Sequence, residues 1–387
     1  FKEFISSILI FSIIVYLIIT LGVNIFINNF GNTSIFIVNL MLIQSFSVYL
    51  VNYRSTEHNM NNEYKKYIAL SFTTTISNII VSVILMLTYF NNNKDIGRIM
   101  GSAISNIFLG LLIIIIILKQ NNFKIELKKE YIIYALKLSL PMIPYTLSTI
   151  LLNHFDRVLI QKYSGDAAVG TYSFIYNLGM ILVILSTSLN NAWKPYVFKE
   201  LNNNNYKNIR KNGHALLIGY TIISIMFLFV SPELQYILGS NKYKEGLSLL
   251  IPLVLSSFFV FAYNLIVFVE FYMKKLYIST IVTIILGVFN VILNMIFIPI
   301  LGYFAATYVT LICYFTMFIW HYIYIKLYIK KNVMQFEFIG FSICLLSIFC
   351  IIFYYSINLI IVRYTVIVGM LITILLFIRN VRSKNEV

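Results

Sequence analysis

The sequence has few charged residues, only 11% of 387, whereas an average soluble domain has roughly 25%. Hydrophobic residues make up 60% of the chain, and a soluble fold of this length cannot bury so much apolar surface. The composition therefore excludes an ordinary soluble domain and predicts contact with hydrocarbon. The net charge of +15 would suggest nucleic-acid binding in a soluble protein. Here the basic residues lie in short segments between apolar runs, so we interpret them as determinants of membrane orientation and expect no nucleic-acid partner.

Cysteine is also scarce, and the sequence patterns of several enzyme classes are absent. Cys313, Cys344 and Cys350 lie inside apolar runs without metal-ligand spacing, so we interpret them as packed residues without a redox role. No Walker A, HExxH or GxSxG pattern and no Asp-rich metal motif occurs. The longest connecting segment, about 193–213, is too short to form a separate domain. These absences exclude an ATP-driven pump and a catalytic ectodomain, and we predict that the protein is not an enzyme and has no cofactor or metal.

Long apolar runs, by contrast, are abundant. About 20 apolar residues suffice for a helix to cross the roughly 30 Å hydrocarbon core, and a helix satisfies the backbone polar groups of such a run within lipid. Twelve runs have this length, at about 4–26, 34–52, 66–90, 99–118, 133–160, 168–192, 214–231, 247–270, 277–298, 303–326, 336–356 and 359–378. We therefore predict an all-α membrane protein with about twelve transmembrane helices.

The basic residues between these runs alternate between the two sides of the membrane. With the N-terminus in the cytoplasm, 22 of the 29 Lys and Arg residues fall in cytoplasmic segments. Basic residues are enriched in cytoplasmic loops, and an error of one span would have mixed the two sides. The sequence thus predicts that both termini are cytoplasmic.

The fifth run contains two prolines, Pro141 and Pro144. Proline removes backbone hydrogen bonds, so this pair predicts a bend or a break in the helix. Transporters use broken helices near the middle of the membrane, but a kink without a functional role gives the same pattern. Both interpretations stay open.

Asn153, Asp156 and Arg157 are the candidate cavity residues of the fifth run, because polar residues at membrane depth are costly. The planar guanidinium of Arg157 suits a phosphate or pyrophosphate, since it can bind two oxygens at once. Asp156 is either a cation or proton site or the counter-charge of Arg157. Alternatively, both side chains lie at the outer headgroup level, about one turn from water. We interpret the neighbouring His154 as a packed residue.

The end of the sixth run contains the remaining candidates. Ser188, Asn190 and Asn191 either line a polar path near the cytoplasmic mouth or form hydrogen bonds between helices. We interpret Trp193 as an anchor at the membrane interface.

Two further polar groups lie in later runs. Glu270 closes the eighth run, and we expect it to pair with Lys274 and Lys275 in the headgroup region. Asn290 and Asn294 are four residues apart on one face of the ninth run. We interpret them mainly as groups that join helices.

Several short motifs occur in a particular order along the chain. Asp156-Arg157 is followed by GDAAVGTYS at 165–173 and NAWKPY at 191–196, and later by NVILN at 290–294 and IPILGYFAAT at 298–307. These segments resemble the bacterial polysaccharide-biosynthesis flippases, the Wzx-like O-antigen or oligosaccharide family of the multidrug/oligosaccharidyl-lipid/polysaccharide exporter superfamily. The region from about 131 to 310 carries most of the resemblance. Ala305 departs from the family pattern, which usually has glycine there.

The resemblance implies a fold of 14 helices, in which two pseudo-symmetric six-helix lobes surround a central cavity and two further helices follow. Aligning the fifth run with the seventh helix of the family leaves four runs before it where six are expected. The chain also begins with Phe1 instead of methionine, so we expect the first two helices to be missing. The expected segments are the remainder of the N-terminal lobe at 1–125, the C-terminal lobe at 126–330 and two extra helices at 331–387.

The resemblance also implies a function, the translocation of undecaprenyl-pyrophosphate-linked oligosaccharide across the bacterial cytoplasmic (inner) membrane. The exported product would be a surface polysaccharide such as the O-antigen of lipopolysaccharide. The implied partners are the lipid-linked oligosaccharide, membrane lipids, polysaccharide assembly proteins, and Na+ or H+ as coupling ion. Two alternatives stay open: an ion-coupled, multidrug-type exporter of small molecules on the same fold, and a membrane enzyme such as a sugar polymerase, against which the lack of a large external loop counts.

Overall fold

The structure, a computed structural model, consists almost entirely of helices. It describes residues 2–26, 35–61, 63–120, 127–140, 142–239, 241–329 and 333–385. Within these ranges no residue is in a β-strand. The predicted all-α fold class is therefore confirmed.

Twelve α-helices follow one another through the described ranges. They are α1 (Lys2–Phe26), α2 (Ile35–Met60), α3 (Tyr64–Thr88), α4 (Lys94–Gln120), α5 (Lys129–Ser139), α6 (Met142–Asn202), α7 (Tyr206–Leu238), α8 (Leu250–Tyr272), α9 (Leu276–Leu301), α10 (Phe304–Tyr324), α11 (Phe336–Ser356) and α12 (Ile360–Asn385). A 3₁₀ segment at Asn241–Leu249 leads into α8, and a π-helical turn at Ile325–Ile329 continues α10.

Ten of the described helical segments are long and apolar enough to cross a membrane. The twelve predicted runs exceed this number for two reasons. The sixth run and most of the fifth lie together in α6, which consists of two helices joined at a kink at Gly165, and the apolar segment Ile360–Ile372 of α12 is shorter than a full span. The fifth run, 133–160, for which the proline pair predicted a bend or a break, contains parts of two helices, because α5 ends at Ser139 and α6 begins at Met142. Pro141, between them, has no amide hydrogen with which to continue a helix.

The chain divides into two compact units, Phe1–Pro141 (unit 1) and Met142–Val387 (unit 2). These units are defined by their internal packing alone, so the lobe limits expected from the sequence stay a prediction.

Glycines of α4 allow the helices of unit 1 to approach closely. A Cβ atom at Gly101 would overlap the backbone of Ser82 on α3, and one at Gly110 would lie 2.8 Å from the Cβ of Ser47 on α2. Small residues let helix backbones come together in lipid, where no hydrophobic force drives association. Helix α4 therefore packs against both α2 and α3 through its glycines.

Hydrogen bonds between uncharged side chains join the same helices. Asn24 of α1 and Asn39 of α2 form a reciprocal amide pair, with N–O distances of 2.8 and 3.0 Å. Gln44 of α2 donates to the hydroxyl of Ser102 on α4 at 3.3 Å. Such pairs add modest stability and fix the register of helices within a membrane.

A small ionic cluster closes the turn between α2 and α3. The carboxylate of Glu63 lies 2.7 Å from Lys66 Nζ and 2.6 Å from His58 Nδ1. These two hydrogen bonds hold the pKa of Glu63 below its usual value, and the hydrogen bond from Lys66 lowers this pKa more than the one with His58 does. Interactions of the Glu63 carboxylate thus stabilise the turn between α2 and α3, which lies outside the membrane spans.

In unit 2, helix α6 packs against α8 and α9 around a large apolar core. Trp193 of α6 is 4% exposed, and its indole N–H donates to the backbone carbonyl of Leu265 on α8 at 3.1 Å. The interpretation of Trp193 as an interface anchor is therefore wrong, because the ring is buried between two helices. Tyr220 of α7 similarly donates to the carbonyl of Leu182 at 3.1 Å.

Candidate functional site

Helix α6 is interrupted at Gly165, where the backbone has φ 83° and ψ 174°. This conformation is open essentially to glycine alone. In a straight helix, 16 residues would separate two positions by about 24 Å. The interruption instead brings Tyr172, after Gly165, into contact with Asp156 before it.

The carboxylate of Asp156 is buried, with 2% of the residue exposed, and both of its oxygens accept hydrogen bonds. The hydroxyl of the fully buried Tyr172 donates to Oδ2, and the backbone N–H of Arg157 donates to Oδ1 at 2.8 Å. A buried carboxylate is costly unless it is paired in this way. The sequence predicted Asp156 as a site residue but gave no indication of Tyr172.

Arg157 is half-buried and lies against an aromatic ring. Its Cζ atom is 4.9 Å from the ring centroid of Tyr176, a cation–π geometry. Its Nη1 lies 2.6 Å from Nδ1 of His154, so His154 contacts Arg157 and is more than a packed residue. Its Nε is buried without a hydrogen-bond partner among the described residues. We call His154, Asp156, Arg157, Tyr172 and Tyr176 the Asp156–Arg157 cluster.

A cavity of about 270 Å³ adjoins this cluster within unit 2. Its walls come from α6, α8 and α10, and its lining residues are His154, Tyr176, Gly179, Met180, Val183, Leu253, Ser256, Ser257, Val260, Thr310 and Tyr314. The hydroxyls of Ser256, Ser257 and Thr310 donate to carbonyls of their own helices at 2.7–2.9 Å. Their oxygens still have lone pairs that can accept hydrogen bonds.

The other predicted residues of α6 lie apart from this cluster. Ser188 lies 12 residues after Tyr176, which is about 18 Å farther along the helix. Ser188 and Asn191 are exposed, and the Ser188 hydroxyl donates to the carbonyl of Ile184 at 3.0 Å. Asn190 is buried and donates to Ser186 Oγ at 3.3 Å, while its Oδ1 has no partner in the described part of the chain. Their predicted role in a polar path stays a prediction.

The remaining candidates fall at the beginning of α6. Pro141 and the side chain of Asn153 lie outside the described residues. Pro144 is the third residue of α6, within the first turn, where backbone N–H groups have no partner in the helix. Pro144 therefore does not break a helix, and the change of helix lies before it.

Two polar pairs of the later helices are deeply buried. Asn290 and Asn294 are both 0% exposed, and Asn294 Nδ2 donates to Asn290 Oδ1 at 3.0 Å. Glu270 was expected to pair with lysines in the headgroup region, and this was wrong. Glu270 is 0% exposed and hydrogen-bonds His321 and Ser279.

The sequence model of the family described as "Polysaccharide biosynthesis protein" matches residues 1–201. The model of a second family, MatE, matches residues 141–297. A curated relative from Haemophilus influenzae, "Lsg locus putative protein 1", is 26% identical over 183 residues, which are 45% of this chain and 45% of the relative. The matched part thus spans less than half the length of that relative.

Two solved structures show the same fold. "Lipid II flippase MurJ, inward closed conformation" has a TM-score of 0.69 and 16% identity, covering 98% of this chain and 84% of that chain. "Outward-facing conformation of a multidrug resistance MATE family transporter of the MOP superfamily" has a TM-score of 0.54 and 15% identity, covering 84% and 77%. These identities are low, so the likeness concerns the fold alone.

Proposed function

The chain belongs to the polysaccharide biosynthesis protein family, and on this premise we propose that it translocates undecaprenyl-pyrophosphate-linked oligosaccharide repeat units for export of surface polysaccharide. It is a multi-pass membrane protein with the fold of the multidrug/oligosaccharidyl-lipid/polysaccharide exporter superfamily. The proposed role is therefore transport. An O-antigen is the proposed end product.

The observation that carries the proposal is the environment of the Arg157 guanidinium. This cation lies on the ring of Tyr176, and its buried Nε has no partner among the described residues. A half-buried guanidinium with an unused donor favours an anionic ligand that accepts two hydrogen bonds at once, as a pyrophosphate does. The hydroxyl oxygens of Ser256 and Thr310 in the adjoining cavity suit the hydroxyls of a sugar.

Asp156 is the proposed site for a coupling ion, Na+ or H+. Its carboxylate is buried, and the donor on Oδ2 is the hydroxyl of Tyr172. A cation bound there would change the net charge beside Arg157 and so alter the attraction of the guanidinium for a phosphate. If Asp156 is only the counter-charge of Arg157, neither ion binds at this carboxylate.

The proposed location is the bacterial cytoplasmic membrane, with both termini in the cytoplasm. The supporting observation is the distribution of the 29 Lys and Arg residues, 22 of which fall on the side assigned to the cytoplasm. Membrane lipids and polysaccharide assembly proteins are the other proposed partners.

The test of the proposal is replacement of Arg157 in a strain that lacks its own flippase. Arg157→Ala is expected to abolish surface polysaccharide, and Arg157→Lys to restore it partly, because lysine supplies the charge without the two-pronged geometry. Surface polysaccharide is measured at matched protein levels in the membrane.

The control for this test is Arg98→Ala, which removes an exposed arginine of α4 and is expected to complement like the wild type. Full complementation by Arg157→Ala would contradict the proposed pyrophosphate site.

The alternative is an ion-coupled exporter of small molecules, which the MatE match over residues 141–297 favours. Membrane vesicles distinguish the two functions when they are offered a lipid-linked oligosaccharide and a fluorescent cationic dye. Dye movement without oligosaccharide translocation would favour the exporter.

A further inference from the structure

Three helices of unit 2 meet at a buried carboxylate–imidazole pair. Glu270 lies in the last turn of α8, Ser279 in the first turn of α9 and His321 in the last turn of α10. Nδ1 of His321 is 2.7 Å from Glu270 Oε1, and the hydroxyl of Ser279 donates to Glu270 Oε2 at 3.0 Å. Both ionisable side chains are 0% exposed.

The surroundings of this pair supply no compensating lysine. The ring of Tyr263 on α8 lies 4.8 Å from that of His321, centroid to centroid. Ionisable groups on the elements that pack against α8 also include Lys194, Tyr196, Lys199 and Glu200 on α6, Tyr206, Lys207, Arg210, Lys211 and His214 on α7, Tyr272 on α8, Lys274 and Lys275 in the turn before α9, Tyr277 on α9, Tyr322 and Tyr324 on α10, Lys326 and Tyr328 in the π-helical turn, and Glu337 on α11. None of these lysines pairs with Glu270 in the described part of the chain. The imidazole is thus the partner that can balance the carboxylate.

Counting protons shows where a proton would bind. If Glu270 is charged and His321 is neutral with its hydrogen on Nδ1, the buried pair has a net charge of −1. Adding one proton at Nε2 gives an imidazolium–carboxylate pair with no net charge, which costs less to bury than the unbalanced charge of −1. Nε2 is the atom of the pair that is buried without a hydrogen-bond partner among the described residues. It is therefore the atom at which a proton can be gained or lost without breaking an existing hydrogen bond.

We propose that Glu270 and His321 form a proton-binding site, separate from the Asp156–Arg157 cluster, that links the ends of α8, α9 and α10. With the proton bound, the pair is neutral and holds the three helix ends together. Loss of the proton from Nε2 leaves a buried carboxylate without a counter-charge, which weakens that packing. The site needs no transported substrate, so it goes beyond the proposed function.

The test measures the protonation state of His321 in the full chain. The method is NMR of ring-¹⁵N-labelled histidine, with the protein in nanodiscs. The sequence has four histidines, so His321 can be assigned from the signal lost in His321→Asn. Between pH 5 and pH 9, Nδ1 of His321 is expected to stay protonated while Nε2 changes from N–H to a bare nitrogen. In Glu270→Gln the pH of this change is expected to differ from that of the wild type, because the adjacent negative charge is gone.

Glu337→Gln is the matched control, since it neutralises an exposed carboxylate on α11 and is expected to leave the His321 transition unmoved. Ser279→Ala provides a second variant in case Glu270→Gln does not fold. It keeps both ionisable groups and is expected to move the transition, because the carboxylate loses a hydrogen-bond donor. A His321 signal that is constant from pH 5 to pH 9 in the wild type would overturn the proposal, as would a transition that neither Glu270→Gln nor Ser279→Ala moves. Neither result depends on what the protein transports.

Discussion

At the scale of single residues, the Asp156–Arg157 cluster shows two opposite charges that are next to each other in sequence but are satisfied by different partners. The carboxylate of Asp156 accepts from Tyr172 and the guanidinium of Arg157 lies on Tyr176. The two tyrosines are one helical turn apart, with ring centroids 5.8 Å from each other. One turn of the second half of α6 thus supports both charges.

The hydroxyl of Tyr172 is expected to be important for stability. Tyr172→Phe keeps the ring but leaves Oδ2 of the buried Asp156 without its donor, at an expected cost of about 1.5–3 kcal/mol. Thermal unfolding of the purified protein measures this loss. Tyr163→Phe, at a 48% exposed position, is the control and is expected to have little effect. Equal midpoints for the two variants would show that the hydrogen bond does not stabilise the fold.

The sequence predicted the charged members of the cluster but not the aromatic ones. Asp156 and Arg157 are conspicuous because ionisable residues are rare inside apolar runs. Tyr172 is one of 29 tyrosines, and helical periodicity does not connect it with a residue 16 positions earlier. Its contact depends on the backbone conformation at Gly165, which the glycine permits but does not by itself specify. The pairing of Glu270 with His321, 51 positions apart, was hidden for a similar reason, because it depends on how α8 and α10 pack.

At the scale of helices, close packing in unit 1 depends on positions where a side chain does not fit. At Gly101 even a single Cβ atom would meet the backbone of Ser82, which cannot rotate away as a side chain can. Helices α3 and α4 would then have to separate and lose contacts along their length.

Gly101→Ala is accordingly expected to destabilise the protein by about 1–3 kcal/mol, the usual cost of overpacking. The measurement is the thermal unfolding midpoint in detergent. Gly22→Ala in α1 is the matched control, because a Cβ atom there meets nothing within 4 Å, and it is expected to be neutral or slightly stabilising. If both alanine variants unfold at the wild-type temperature, the α3–α4 contact is looser than described.

The helices themselves were largely predictable from the sequence, whereas their exact ends were not. Apolar length is a strong signal because lipid leaves few alternatives to a helix. The run at 133–160 nevertheless crosses the change from α5 to α6, since hydrophobicity does not report where a helix stops. Gly165, where the backbone leaves the helical conformation, lies between the fifth and sixth runs, so the sequence did indicate a change of helix in this stretch.

At the scale of the whole molecule, the distribution of basic residues predicts which side of the membrane each turn faces. The connection between α6 and α7 is assigned to the cytoplasm and the connection between α3 and α4 to the outside. Asn203 and Asn92 lie in these two connections and are both exposed.

A cysteine at Asn203 is expected to react only after the membrane is made permeable, and one at Asn92 before it. Labelling of intact cells with a membrane-impermeant maleimide measures this difference. A Cys344→Ser background is needed, because Cys344 is exposed whereas Cys313 and Cys350 are buried. Labelling of the Asn203→Cys variant in intact cells would reverse the proposed orientation.

The turn at Gly165 has a consequence for how the protein is made. Asp156 leaves the ribosome 16 residues before Tyr172, and at about 5–20 residues per second this interval lasts roughly one to three seconds. Tyr176, the ring partner of Arg157, follows four residues after Tyr172. During that time the first part of α6 carries two charges whose tyrosine partners do not yet exist. Its release from the insertion machinery into lipid is costly until the second part has been synthesised. Residues 157–172 are therefore the stretch of the message where a ribosomal pause would be most harmful to assembly.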